Sequence, residues 1–68
     1  MNVKYFKDTD TALLEFSDRN VEQTREISEN ITIDLDSEGN LVNMTIEHAR
    51  SSARLPNIVV EEFGQEVA

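Results

Sequence analysis

The acidic stretch of Asp34, Asp36, Glu38 and Gly39 contains residue types that bind calcium. An EF-hand loop places oxygen ligands at positions one, three and five, glycine at six and a bidentate glutamate at twelve. Counted from Asp34, position twelve is Thr45, so the bidentate ligand is missing, and the flanking residues alternate as strands do. We therefore interpret the stretch as a hairpin turn with solvated acids, in which Gly39 takes a positive φ.

The single histidine, His48, precedes Ser51 and Ser52, and these residue types can form a nucleophilic site. Such a site needs a nucleophile within hydrogen-bond reach of the histidine and an acidic group that orients the histidine. Glu47 is adjacent, but neighbouring residues of a strand point to opposite faces. The chain also lacks the G-x-S-x-G nucleophile motif. We interpret His48 as a helix-start or interface residue that can respond to pH.

The remaining charged candidates are Asp8, Asp10 and Asp18 in predicted turns, and the pair Arg50 and Arg54. Aspartate in a turn bonds nearby backbone N–H groups, and a glycosidase carboxylate pair would need a cleft that a small sheet does not offer. The arginines lie one helical turn apart. They could contact an anion or acidic partner, but we favour pairing with the chain's glutamates. The sequence therefore predicts no catalytic, cofactor-binding or metal-ligating residue, and we expect no enzymatic activity.

Strands are the elements that would position these residues, because apolar and polar residues alternate with a period of two. The alternation recurs five times and is separated by short polar connections, which permit antiparallel neighbours but no parallel crossovers. This predicts a mainly β fold, on the border of α+β, built as an antiparallel meander of five to six strands. The predicted buried face carries Ile31, Ile33, Leu35, Val42, Met44 and Ile46. Phe6 and Leu13 fall on the face opposite to it.

The pattern changes in the last third of the chain. Residues 48–55 contain two alanines four apart and no β-branched residue, which predicts a short helix that ends before Pro56. Residues 57–63 fit two structures. Val59 and Phe63, with Val67 beyond them, recur at helical spacing, whereas the β-branched run at 58–60 is typical of a strand, and we favour the strand.

The composition limits the class of protein. The chain has 68 residues and no cysteine, with 14 acidic and 6 basic side chains and a net charge of −8. We expect residues 1–68 to form one domain. Scattered basic residues argue against nucleic acid and anionic membranes as partners. No signal peptide or transmembrane stretch is recognisable, so we expect a cytoplasmic protein. A chain this small without disulfides is only marginally stable alone, which favours a homodimer.

Several ordered segments resemble a bacterial family of domains of unknown function, number 2283. They are residues 5–14 (YFKDTDTALL), 17–18 (SD), 29–36 (ENITIDLD), 38–42 (EGNLV) and 46–49 (IEHA). The resemblance covers about residues 3–50, with departures at Phe6, where an acidic residue is expected, and at Lys7, where proline is expected. It implies a small β-rich domain without established activity. The family's toxin-like genetic neighbours imply an antitoxin-like binding role.

Together these features favour a small protein-interaction module, antitoxin-like in role. It would act as a homodimer or bind a basic or toxin-like protein, and it would use no cofactor. The alternative is a small-molecule or metal-ion binding domain with its site at a subunit interface.

Overall fold

The computed structural model describes residues 1–64, so Val67 lies outside the described residues. In residues 1–64, five antiparallel strands form one sheet with a single short helix, which confirms the predicted mainly β fold. The elements are β1 (Asn2–Phe6), β2 (Thr11–Glu15), β3 (Gln23–Ser28), β4 (Ile31–Leu35), β5 (Leu41–Glu47) and α1 (Ala49–Ala53). At five residues, α1 is too short to cross a bilayer, and no other helix is present in residues 1–64.

The sheet is open, and its strand order is β1-β2-β5-β4-β3. Three of the four neighbouring pairs are hairpins between consecutive strands, as expected for a meander. In the fourth pair, β5 lies against β2, so the connection at residues 16–22 must pass the end of the sheet to reach β3. Backbone bonds hold it there: the Phe16 N–H donates to the Val42 carbonyl over 2.8 Å, and the Glu22 N–H to the Leu35 carbonyl over 2.8 Å.

The β4–β5 turn is the predicted hairpin turn. Gly39 has a φ of 82°, which confirms the expected positive value. The Asp36 N–H donates to the Asn40 carbonyl over 2.9 Å, and the Gly39 N–H donates to the Asp36 carbonyl over 3.1 Å. Glycine suits this position because an added side chain would strain the left-handed backbone, although the space around it is open.

The predicted helix is also present, although α1 is shorter than residues 48–55. Both flanking residues are left-handed, His48 with a φ of 53° and Arg54 with a φ of 58°. At the C-terminal end, the Leu55 N–H donates to the Ala49 carbonyl over 3.0 Å, which closes the helix in the manner of a left-handed cap. Residues 57–63 form neither a strand nor a helix, so the strand that the sequence favours there is not formed.

The core lies where α1 crosses one face of the sheet. Ala12 and Ile46 from the sheet pack with Ala49 and Leu55, and these four side chains are buried. The predicted face is on this side, but it is only partly covered: Val42 and Ile46 are buried, whereas the remaining four are half-buried (Ile31, Ile33, Leu35 and Met44). The sheet is therefore a single layer with a small core at one end.

Candidate interaction surface and polar clusters

An apolar row runs across four strands of the sheet on the face that carries α1. Val3, Leu14, Met44 and Ile33 are directly opposite one another in the register of β1, β2, β5 and β4. All four are half-buried. Residues in register share one face of a sheet, so these four side chains form a continuous stripe, which we call the apolar row. On β3 the same register position is occupied by Arg25.

The neighbouring register row explains why the apolar row is only partly covered, with Leu14 and Met44 packed against the core cluster. That row contains Tyr5, Ala12, Ile46 and Ile31, and its centre is where α1 and Leu55 pack. A helix of five residues is about 7.5 Å long, whereas five strands spaced about 4.8 Å apart span about 19 Å. The helix can therefore cover only one part of the face.

Further apolar side chains border the open part of the face. Phe16, Val21 and Ile27 are 37%, 45% and 57% exposed. Contiguous apolar surface of this kind marks interaction sites in proteins that are otherwise well folded. The open face is therefore the candidate functional site.

The opposite face is polar and acidic. Asp34 accepts hydrogen bonds from the Thr24 hydroxyl over 2.8 Å and from the Asn43 amide over 3.2 Å. Lys4 lies 3.2 Å from Glu15 in an exposed ion pair. Glu26 and Glu47 add exposed carboxylates on β3 and β5, and Phe6, 49% exposed, lies on this face as predicted. The two sides of the sheet thus differ sharply in chemistry.

Asp36 is buried rather than solvated, which corrects the expectation for the acids of the β4–β5 turn. One carboxylate oxygen accepts from the Glu38 N–H over 2.9 Å and from the Asn40 N–H over 2.8 Å. The other accepts from Arg19 Nη1 over 2.9 Å. The carboxylate therefore closes the turn and ties it to the connection at residues 16–22.

These bonds shift the pKa of Asp36 below its ordinary value of 3.8. The Asn40 N–H is the largest cause, the Arg19 guanidinium and the Glu38 N–H act in the same direction, and burial opposes them. A carboxylate with a lowered folded pKa stabilises the protein above its unfolded pKa. That contribution is lost as the pH falls through the folded value.

We expect the urea midpoint to fall as the pH is lowered from about 4 to about 2, because Asp36 and Asp10 must then be protonated. Asp36→Asn should lower the urea midpoint at pH 7. It should also weaken the fall of the midpoint between about pH 4 and about pH 2, which we call the acid limb. Glu38→Gln, which removes an exposed carboxylate from the same turn, is the matched control and should keep the limb. A wild-type acid limb in Asp36→Asn would contradict this assignment.

A second cluster joins the β1–β2 turn to α1. The Tyr5 hydroxyl donates to Asp10 Oδ1 over 2.6 Å, and the Arg50 N–H donates to the same oxygen over 3.2 Å. The Asp10 carbonyl accepts from the Ala49 N–H over 2.9 Å. The Tyr5 hydrogen bond is the main cause that lowers the pKa of Asp10, and the same bond is the main cause that raises the pKa of Tyr5.

Arg50 lies against Tyr5, and it forms no ion pair with a glutamate in residues 1–64. Its guanidinium carbon is 5.3 Å from the ring centroid, and its Nε donates to the Tyr5 hydroxyl over 3.0 Å. The pairing of Arg50 with glutamate that the sequence favours is therefore not found in residues 1–64. Arg54, the other arginine of the predicted pair, caps the C-terminal end of α1 through its backbone N–H. Asp10 is structural, as expected, but its carboxylate bonds Tyr5 and the start of α1, and the predicted bonds to backbone N–H groups of its own turn are not formed in residues 1–64.

The structure does not assemble the histidine and the serines into a nucleophilic site. His48 Nδ1 lies 3.0 Å from Asn30 Oδ1. The Ser51 hydroxyl donates to the His48 carbonyl over 3.1 Å, and the Ser52 hydroxyl donates to the same carbonyl over 2.7 Å. Both hydroxyls are thus bonded to the backbone at the start of α1. In residues 1–64, no group of three or more His, Cys, Asp or Glu residues could hold a metal ion.

The fold and surface define a class: a small single-layer antiparallel sheet with one apolar face largely open. The model of the family "Protein of unknown function (DUF2283)" matches residues 2–50. The chain therefore belongs to this family. No curated protein and no solved structure matches it significantly.

Proposed function

We propose that the protein is an interaction module that works as a homodimer through the face that carries the apolar row. The apolar row itself is the observation that supports this proposal. It crosses four strands, and within the described chain α1 is the helix that packs on this face, at one end only. Two-fold pairing of identical surfaces is the commonest symmetric way to cover such a face.

The small core gives independent support. Only five apolar side chains in residues 1–64 are buried, and a chain of this size has few other sources of stability. It has no cysteine for a disulfide. Pairing would complete the burial of each half-buried side chain of the apolar row, at roughly 25 cal/mol for each Å² removed from water. Dimerisation would thus stabilise the fold as well as serve recognition.

Light scattering of the wild-type protein tests the proposal. At micromolar concentration we expect a mass of about twice the 7.7 kDa of one chain, because the open face should be paired. A mass of one chain, unchanged when the protein is concentrated tenfold, would exclude self-association through this surface.

The opposite face supports a further part of the proposal, which is binding of a basic, toxin-like protein partner in an antitoxin-like role. A dimer formed through the apolar row leaves the acidic face free, and the net charge of −8 favours a basic partner. Co-purification with such a partner should weaken in the double variant Glu26→Lys, Glu47→Lys. Unchanged co-purification would count against this face.

We place this role in the cytoplasm and propose that it involves no catalysis. The chemistry of the two carboxylate clusters supports a structural use of their side chains, because Asp10 and Asp36 each accept hydrogen bonds from within the chain. Ser51 and Ser52 are likewise bonded to backbone carbonyls.

A further inference from the structure

Residues 58–63, which we call the C-terminal arm, carry apolar side chains that the rest of residues 1–64 leaves largely exposed. Val59, Val60 and Phe63 are 85%, 74% and 88% exposed, and Ile58 is 41% exposed. The arm follows a turn in which the Asn57 N–H donates to the Arg54 carbonyl over 3.0 Å. In this structure Val59, Val60 and Phe63 therefore do not pack on the sheet of their own chain.

We infer that the C-terminal arm of one protomer lies across the apolar row of a second copy of the chain. This inference rests on the proposed homodimer and specifies how the two copies make contact. Two independent observations support it, the area that a dimer needs and the matching order of charges.

The area of the sheet is too small for a stable dimer by itself. Five strands span about 19 Å and a five-residue strand is about 17 Å long, so the whole face is about 320 Å² in projection. A standard interface takes about 800 Å² from each partner. Even doubled for the relief of the side chains, the face falls short, and α1 already covers part of it. The exposed apolar side chains of the arm are the source within the chain that can make up the difference.

The length and charge order of the arm fit the apolar row. The row spans about 14 Å from β1 to β4 and continues on β3 to Arg25, and six extended residues reach about 20 Å. The arm reads three β-branched apolar residues followed by Glu61 and Glu62. Neighbouring extended residues are about 3.4 Å apart, so an arm that points toward β3 with Glu61 and Glu62 beside Arg25 places its three β-branched residues over the Met44 and Ile33 end of the apolar row.

Charge exchange between two chains tests this contact. One variant carries Arg25→Glu on the sheet, and the other carries Glu61→Lys and Glu62→Lys on the arm. These residues are exposed, so both variants should keep the wild-type circular dichroism spectrum. Each variant alone should dimerise about tenfold more weakly than the wild type at low salt, because like charges then face each other.

An equimolar mixture of the two variants should restore wild-type dimerisation. In the mixed dimer the glutamates of one arm meet Arg25, and the lysines of the other arm meet the glutamate at position 25. If the arm lay on the sheet of its own chain, mixing the two variants would not restore dimerisation. Only a single chain that carries all three substitutions would then dimerise as the wild type does. That result would overturn the inference and leave the homodimer intact.

Two other outcomes separate the inference from the proposed function. If all variants dimerise as tightly as the wild type, the arm is not in the interface, which overturns the inference alone. If the wild-type protein is a monomer throughout, the proposed homodimer fails and the inference fails with it.

Discussion

Ile46→Ala is expected to remove a large fraction of the free energy of unfolding. Ile46 is 7% exposed and belongs to the core cluster beneath α1. Truncating a buried isoleucine to alanine costs about 2–5 kcal/mol, because the loss of burial is joined by the cost of a cavity. A folded chain of this length has about 3–10 kcal/mol of stability in total. One side chain therefore accounts for a large fraction of it.

The cavity should persist because its walls cannot move inward easily. Ala12 and Ala49 are fully buried alanines that let the helix approach the sheet closely. The Ala49 N–H is bonded to the Asp10 carbonyl, which fixes the start of the helix above this position. Collapse of α1 onto the shortened side chain would break that bond.

Urea denaturation followed by circular dichroism measures the effect. Phe6→Ala is the control, because it truncates an apolar side chain that is 49% exposed on the acidic face, away from α1 and the apolar row. At a fixed protein concentration the control should change the free energy of unfolding by about 1 kcal/mol or less. Similar losses in the two variants would show that the core does not lie where α1 meets β5.

Alternation of residue types was sufficient to predict the strands and their faces. Ile31 and Ile33 share a face because side chains repeat every two residues along a strand, and the register confirms this. How far that face is covered depends on a different quantity, the length of α1. Since the helix ends at Ala53 with Arg54 in a left-handed conformation, it leaves the apolar row open. Residue types alone do not specify where a non-glycine residue accepts that conformation.

The structural roles of the polar residues were harder to predict because their partners are distant in sequence. Asp10 bonds the N–H of Arg50, 40 residues away, and Asp36 bonds Arg19, 17 residues away. The second pair depends on the strand order, in which the connection at residues 16–22 passes the β4–β5 turn. A seven-residue polar connection is compatible with a simple hairpin as well, so no local signal distinguishes the two paths.

Ile33→Asp is expected to convert the proposed homodimer into a folded monomer. Ile33 lies in the apolar row and is only half-buried within one chain. The carboxylate of the introduced aspartate can therefore remain hydrated in the monomer. Its register neighbour on β3 is Arg25, which favours the negative charge. In the dimer the same carboxylate would be removed from water, and an unpaired buried charge is strongly unfavourable. The dimer dissociation constant should rise by about 100-fold or more, equivalent to about 2.7 kcal/mol.

Thr32→Asp is the matched control for that substitution. Thr32 is the preceding residue of β4, is also half-buried, and points to the opposite face. Both variants place aspartate in an inner strand, and Thr32→Asp, which lies opposite Glu26, should lose at least as much strand stability, but only Ile33→Asp puts the charge on the proposed pairing face. Light scattering at one micromolar-range concentration should give one chain for Ile33→Asp and two for Thr32→Asp, with strand circular dichroism retained in both. A dimer of wild-type strength in Ile33→Asp would place the interface elsewhere on the molecule.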